Sequence, residues 1–457
     1  MKKLLVILFA LGLVFAFTAP VMATDVSFDG SFRVRGWYDS NSDLVKNNSV
    51  ASAYYDQRLR VGTVFQVAEG LSVTARFDAL DGTWGSTGMR GNDVANTVGI
   101  ETNNIQFDKA YMTFLTGIGQ FKAGYMADGC WGTAFGDTEK FKGAVSFLTK
   151  LGDNVYFSLK VVKSNEVDKT GSLQESGLAP TATYSDKDDD SYSAAVIYVG
   201  EAMNAGLVYN YKRYANYVDA FGIRVAEINV LSPYIKATFG DLYLESELCW
   251  ADGTGKNINA ATPDTDVEGL SFYAMGKYNL GSVYLGGIFA FVQGDDPDTP
   301  FTVKTENVLG DVNGGTEWDP TLIMFNSTCP ASLGGPWGTR DRMDNAIFYQ
   351  VFAGADYDKL SYKVSLSYAQ ADENGTAGMW TSPSSQLPYA GIASGAQYID
   401  KDYGTELDIT AAYKIYDNLT YSVGAGYLWA GDYYKGASTT VEIGDTYLLT
   451  NKLQVNF

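Results

Sequence analysis

The chain has 457 residues, a formal net charge of −20, three cysteines and no histidine. That length suits two or three soluble domains or one large β-architecture. Without histidine there is no Ser-His nucleophile pair and no imidazole for zinc or haem, so His-based hydrolysis is excluded and the chain does not read as an enzyme. The acidic balance speaks against a nucleic-acid partner, and Cys130, Cys249 and Cys329 form no CxxC, so neither a metal site nor a cofactor is expected.

Residues 1–23 combine Lys2 and Lys3, an apolar run from Leu4 to Phe17 and the small-residue pattern Val21-Met22-Ala23. They read as a secretory signal cleaved after Ala23, because the run is short for a spanning helix. Removing it takes the formal charge from −20 to −22, since the leader holds two lysines and no acid. Residues 24–457 then form a single domain. No later segment approaches the ~20 continuous apolar residues of a membrane helix. With 14% aromatics, 32 Tyr and 49 Gly, the composition favours β-structure throughout.

From the N-terminal end, period-two alternation recurs. Phe32, Val34 and Tyr38 oppose Arg33, Arg35 and Trp37; Leu59, Val61, Phe65 and Val67 oppose Arg58, Arg60 and Gln66. Next, Leu71, Val73, Ala75 and Phe77 oppose Ser72, Thr74, Arg76 and Asp78. Such runs of about 10 residues suit tilted strands crossing a bilayer. Tight Gly/Asp/Asn turns at 67–71, 116–120, 150–154, 199–203, 239–242, 279–282, 356–360 and 415–419 alternate with longer polar stretches, among them 83–104, 165–190, 294–343 and 372–402. Short turns on one side and long loops on the other predict an antiparallel transmembrane β-barrel in the cell outer membrane. Eight tight turns and nine longer connections join 18 strands, with 16 still open because bulges and loop hairpins are invisible in sequence. Aromatic pairs near strand ends (Trp37-Tyr38, Tyr54-Tyr55, Tyr427 with Trp429, Tyr433-Tyr434) suggest interfacial girdles and favour a barrel over a two-sheet sandwich.

The last strand, TYLLTNKLQVNF, places Tyr447, Leu449, Leu453, Val455 and Phe457 on one parity, broken by Asn451. Here the sequence resembles the Gram-negative outer-membrane porins, whose final strand ends in an aromatic residue after alternating apolar positions. The resemblance spans residues 24–457. It implies that Phe457, Val455 and Leu453 are read by the barrel-assembly machinery, that the last strand closes against the first, and that a homotrimer is a possible assembly.

Eighteen strands leave a water-filled bore. On the lumen parity stand Arg33, Arg35, Arg58, Arg60 and Arg76, with Lys122 nearby; Glu245, Glu247, Glu406 and Asp408 share that parity on later strands. One reading is a basic wall facing acidic groups, whose transverse field selects ions. The other is local neutralisation, with Asp56 or Asp78 pairing the arginines inside the wall. The porin resemblance adds that related channels often carry a basic ladder for anions, and that the third loop often folds inward. That loop is 128–140, with Asp128, Asp137 and Glu139 suited to face the basic wall; the long stretch 294–343 is a second candidate.

The acidic loops at 185–190, 294–298 and 317–320 read as solvated surface or as sites for cation bridging to lipopolysaccharide. A disulfide between Cys130 and Cys329 is conceivable, with isolated thiols preferred. The function expected is a porin passing small hydrophilic solutes or ions. The rival is a plugged or scaffold barrel: a surface receptor, an adhesin or the sheath of an electron-transfer conduit.

Overall fold

A computed structural model describes residues 25–47, 51–85, 105–166, 188–219, 222–257, 263–299, 304–306, 318–326, 343–374 and 397–457. The proposed leader, the acidic segment 185–187 and Cys329 lie outside the described residues, so the leader and the Cys130–Cys329 pairing stay as expectations.

Alternating sequence becomes extended strand because β-branched and aromatic side chains fit a pleated surface exposed on both faces. In chain order the strands are β1 Asp25–Ser40, β2 Ala51–Ala68, β3 Leu71–Thr83, β4 Ile105–Thr116, β5 Gly119–Asp128, β6 Lys140–Lys150 and β7 Val155–Asn165. There follow β8 Asp189–Val199, β9 Met203–Asp219, β10 Gly222–Phe239, β11 Leu242–Asn257, β12 Thr265–Leu280 and β13 Val283–Val292. The last are β14 Lys304–Thr305, β15 Ala346–Tyr357, β16 Leu360–Gln370, β17 Asp402–Tyr416, β18 Leu419–Ala430 and β19 Thr446–Asn456.

Two-residue β14 lies parallel to β12. The other 18 strands pair antiparallel with their chain neighbours, and β13 pairs directly with β15. The sheet closes on itself through β1 and β19, in register from Ser31 with Asn456 to Ser40 with Tyr447. Closure is what the bilayer demands: no edge is left with unpaired N–H and C=O groups in hydrocarbon. The strand count is therefore 18, not 16. All eight tight turns join the strand pairs anticipated from sequence.

Polarity is inverted relative to a soluble protein. Phe28, Phe107, Leu115, Val351 and Ile409 are all more than half exposed on the outer wall, while the arginines of β1 to β3 turn inward. Leu59 and Val61 share parity with exposed Tyr55, Phe65 and Val67. Phe457 is 56% exposed, with its backbone paired to Gly30.

The aromatic pairs need correction. Consecutive strand residues point to opposite faces, so Tyr38 faces out while Trp37 donates to Asp56 inside. Tyr433 and Tyr434 are not girdle residues: they sit in a short 3-10 turn at Asp432–Lys435 and are buried against Tyr403. Tyr427 and Trp429 do lie together on the outer wall, with ring centroids 4.8 Å apart.

Candidate functional site

The arginines expected on the lumen wall come together on β1 to β3, but with carboxylates between them. Arg35 Nε donates to Asp56 at 2.9 Å, and Arg60 grips Asp78 bidentately at 2.7 and 2.8 Å. Arg58 reaches the same Asp78 at 3.8 Å. Arg76 binds Asp108 at 2.7 Å, and Lys109 binds Glu139 at 2.9 Å, with Arg76 3.7 Å from that same carboxylate. These side chains lie in a register set by the strands: Arg33 opposes Arg58, and Arg60 opposes Asp78. The wall is an interleaved ladder of opposite charges. Arg33 has no ion pair with a described carboxylate; its Nε and that of Arg58 are buried without a hydrogen-bond partner.

Asp108 was not foreseen. The β3–β4 register slips between Arg76 and Phe77, a bulge that interrupts the alternation of β4. Phe107 stays outside while both Asp108 and Lys109 reach lumen partners.

Segment 129–139, the third long connection, folds into the barrel. Trp131 Nε1 donates to the Ser232 carbonyl at 2.9 Å and its ring meets Tyr234 edge-on. The Thr133 amide and hydroxyl both donate to Glu247 at 2.7 Å. Phe135 stacks on Tyr273, with centroids 5.2 Å apart. The segment thus leaves β5, docks on β10 to β12, and returns to Arg76 and Lys109 through Glu139. It is a strap across the interior. Asp128 at its start is held by Lys160 at 2.7 Å, and Asp137 accepts the Glu139 amide.

A second segment, 318–326, also enters. Glu406 accepts the amides of Leu322, Ile323 and Met324 at 3.0, 2.7 and 2.8 Å, and Gln350 donates to the Pro320 carbonyl. A buried carboxylate with three amide donors is a strong anchor. Asp408 is buried beside it on β17, the sixteenth barrel strand. Trp318 meets Phe135 edge-on at 5.1 Å, so the two inward segments touch. Around them Phe325, Phe348 and Tyr403 form a buried aromatic cluster.

Glu247 and Glu406 therefore hold loops; they do not stand free opposite the arginines. Glu245 accepts hydroxyls of Tyr243 and Tyr273, each at 2.7 Å. Lys122 lies 5.7 Å from the ring centroid of Tyr111. The segment falls within 294–343, the second inward candidate from sequence; what was not singled out there is the docking run Leu322-Ile323-Met324-Phe325, an apolar tract inside a polar stretch.

No family model matches the sequence, and no curated protein does. Solved structures match by shape. The outer-membrane protein OpdK from Pseudomonas aeruginosa aligns at TM-score 0.51 and 10% identity, over 94% of this chain and 98% of that chain. OccK9 (OpdG) from Pseudomonas aeruginosa aligns at TM-score 0.51 and 10% identity, over 94% and 99%. OpdK solved with vanillate aligns at TM-score 0.50 and 12% identity, over 94% and 99%. The architecture, a closed antiparallel barrel of 18 strands, is the one these outer-membrane proteins share. A barrel of this size leaves an interior wide enough for inward loops and water, and here both the charged ladder and the strap lie within it.

Proposed function

We propose that the protein is an outer-membrane porin through which small hydrophilic solutes or ions diffuse passively. The strap 129–139 and the segment 318–326 narrow the bore, and the ladder from Arg33 to Arg76 polarises it. The observation that carries this reading is the inverted polarity of a closed barrel: apolar residues outside, ionised pairs inside. The shared shape with Pseudomonas outer-membrane proteins supports it. In this reading Phe457, Val455 and Leu453 guide assembly, the acidic loops meet lipopolysaccharide, and a homotrimer is one available assembly.

Selectivity rests on the groups whose charge is least compensated. Asp56, Asp78 and Asp108 cancel much of Arg35, Arg60 and Arg76, leaving Arg33, Arg58 and, on β19 opposite Arg35, Lys452 as the ladder's net positive surface. Such a surface favours anions. Vanillate, the carboxylate seen with OpdK, is an example of that class.

In planar bilayers with a salt gradient, the purified protein carries open-channel current with anion preference. Replacing Arg58 and Arg60 together by Ala leaves Asp78 unpaired and moves the reversal potential toward cations. An unmoved reversal potential removes the ladder from the mechanism. The second reading, a plugged or scaffold barrel, draws on the contact between Phe135 and Trp318, which fills part of the interior. It predicts no current in any salt until that contact is broken.

A further inference from the structure

A second set of lumen cations lies away from the ladder, toward the tight-turn end. Lys122 is the fourth residue of β5 after the turn; Lys363 is the fourth of β16; Lys236 and Lys277 are fourth from the ends of β10 and β12. Each is therefore about three residues, or roughly 10 Å of strand, from its turn. All four share the inward parity of their strands, since Tyr125, Ile235, Phe239, Tyr278, Leu280, Tyr362 and Val364 face out.

Each ammonium is seated over an aromatic ring. Lys122, Lys236, Lys277 and Lys363 lie 5.7, 5.9, 5.4 and 5.0 Å from the centroids of Tyr111, Tyr234, Tyr284 and Phe352. Three of the rings lie against glycines on neighbouring strands: Tyr234 on Gly206, Phe352 on Gly286 and Tyr284 on Gly354. A Cβ at any of these glycines would collide with the ring. The rings are thus laid along the wall, with the lysine ammoniums beside them on the inner face.

Unlike the ladder, this set makes no direct ion pairs. None of the four forms an ion pair with a described carboxylate; Lys363 makes only a long 3.5 Å contact to Gln350. The nearest carboxylates act through space: Glu245, in register with Lys236 and hydrogen-bonded by two tyrosine hydroxyls, Glu247 near Lys236, and Asp408 near Lys363.

We propose that Lys122, Lys236, Lys277 and Lys363 form a ring of fixed positive charge inside the tight-turn mouth, an anion-attracting element separate from the arginine ladder. Spread over β5, β10, β12 and β16, they do not chelate one ion. They raise the local concentration of small anions, such as phosphate or carboxylate solutes, at that end. The inference rests on the porin reading, which places this mouth at the periplasm.

The test uses the full-length protein inserted from one chamber, so that the tight turns face the other, and chloride over potassium permeability as readout. With the tight-turn side at low salt, changing all four lysines to Gln lowers that ratio about threefold or more, and the effect fades at 1 M, where the screening length is about 3 Å. With the low-salt side reversed, the change is smaller. Single variants Lys277→Gln and Lys363→Gln, each lowering the ratio part-way, serve should the quadruple variant fold poorly. Wild-type current with an unchanged ratio in the variants overturns the ring alone, as does an equal shift for both gradient directions. Absence of wild-type current overturns the channel reading and the ring together.

Discussion

At the residue scale, the two inward segments hang on two carboxylates. Glu406 takes three backbone amides, and removing it leaves those donors buried and unpaired. Glu406→Leu should cost about 3 kcal/mol or more, since each orphaned buried donor forfeits about 1–3 kcal/mol. Hydrogen exchange at Leu322, Ile323 and Met324 should accelerate in this variant; unchanged protection would show that the segment is held by its apolar contacts instead. Glu247→Gln is milder, because the amide oxygen still accepts from Thr133, whereas Glu247→Leu frees the strap.

Glu139 gives the strap a pH dependence. Burial alone would push its carboxyl up, but the hydrogen bond from Lys109 and the charges of Arg76 and Arg60 outweigh that and hold it below the usual carboxylate range. A carboxyl depressed in the folded state stabilises above its unfolded pKa, about 4.3, and loses that contribution as pH falls through the folded value. Single-channel current should therefore be quiet from pH 7 to 5 and noisier below about pH 4, with Glu139→Gln noisy at pH 7. Wild-type noise that already rises at pH 6 would contradict the assignment.

At the element scale, strands and turns were legible because each carries its own signal: alternation for the strand, Gly, Asp or Asn for the turn. Parity puts Leu59 and Val61 on the face of exposed Phe65 and Val67, and the arginines beside them on the opposite face, where Arg58 and Arg60 reach Asp78. What stayed hidden depends on long-range packing or on broken alternation. The β4 bulge turns Asp108 and Lys109 to one side, and no rule of parity announces it. The paired tyrosines 433 and 434 look like interfacial residues in sequence, yet the fold buries them with Tyr403. Likewise Glu247 looked like a free wall charge, and only the strap reveals its partner, Thr133.

Parity also makes an element-scale prediction. Leu59→Arg places a guanidinium against lipid and should lower the folding free energy in vesicles by about 2–4 kcal/mol if near the midplane. Gln at neighbouring Arg58 faces water and should change stability far less. Equal losses in urea titrations of the two variants would contradict the assigned faces.

At the scale of the whole molecule, hydrophobic residues line the lipid boundary and the charged ladder, strap and lysine ring occupy the interior. The interior is unevenly filled: an aromatic cluster from Phe135 to Tyr403 packs against β12 and β15 to β17, while the ladder lies along β1 to β4.

Spin labels placed singly at residues 59, 60 and 61 test this polarity most directly, in vesicles and in a background with Cys130, Cys249 and Cys329 changed to Ser. Labels at 59 and 61 should collide with lipid-dissolved oxygen, and the label at 60 with a water-soluble nickel chelate. Oxygen preference at 60 with chelate access at 59 and 61 would contradict the account.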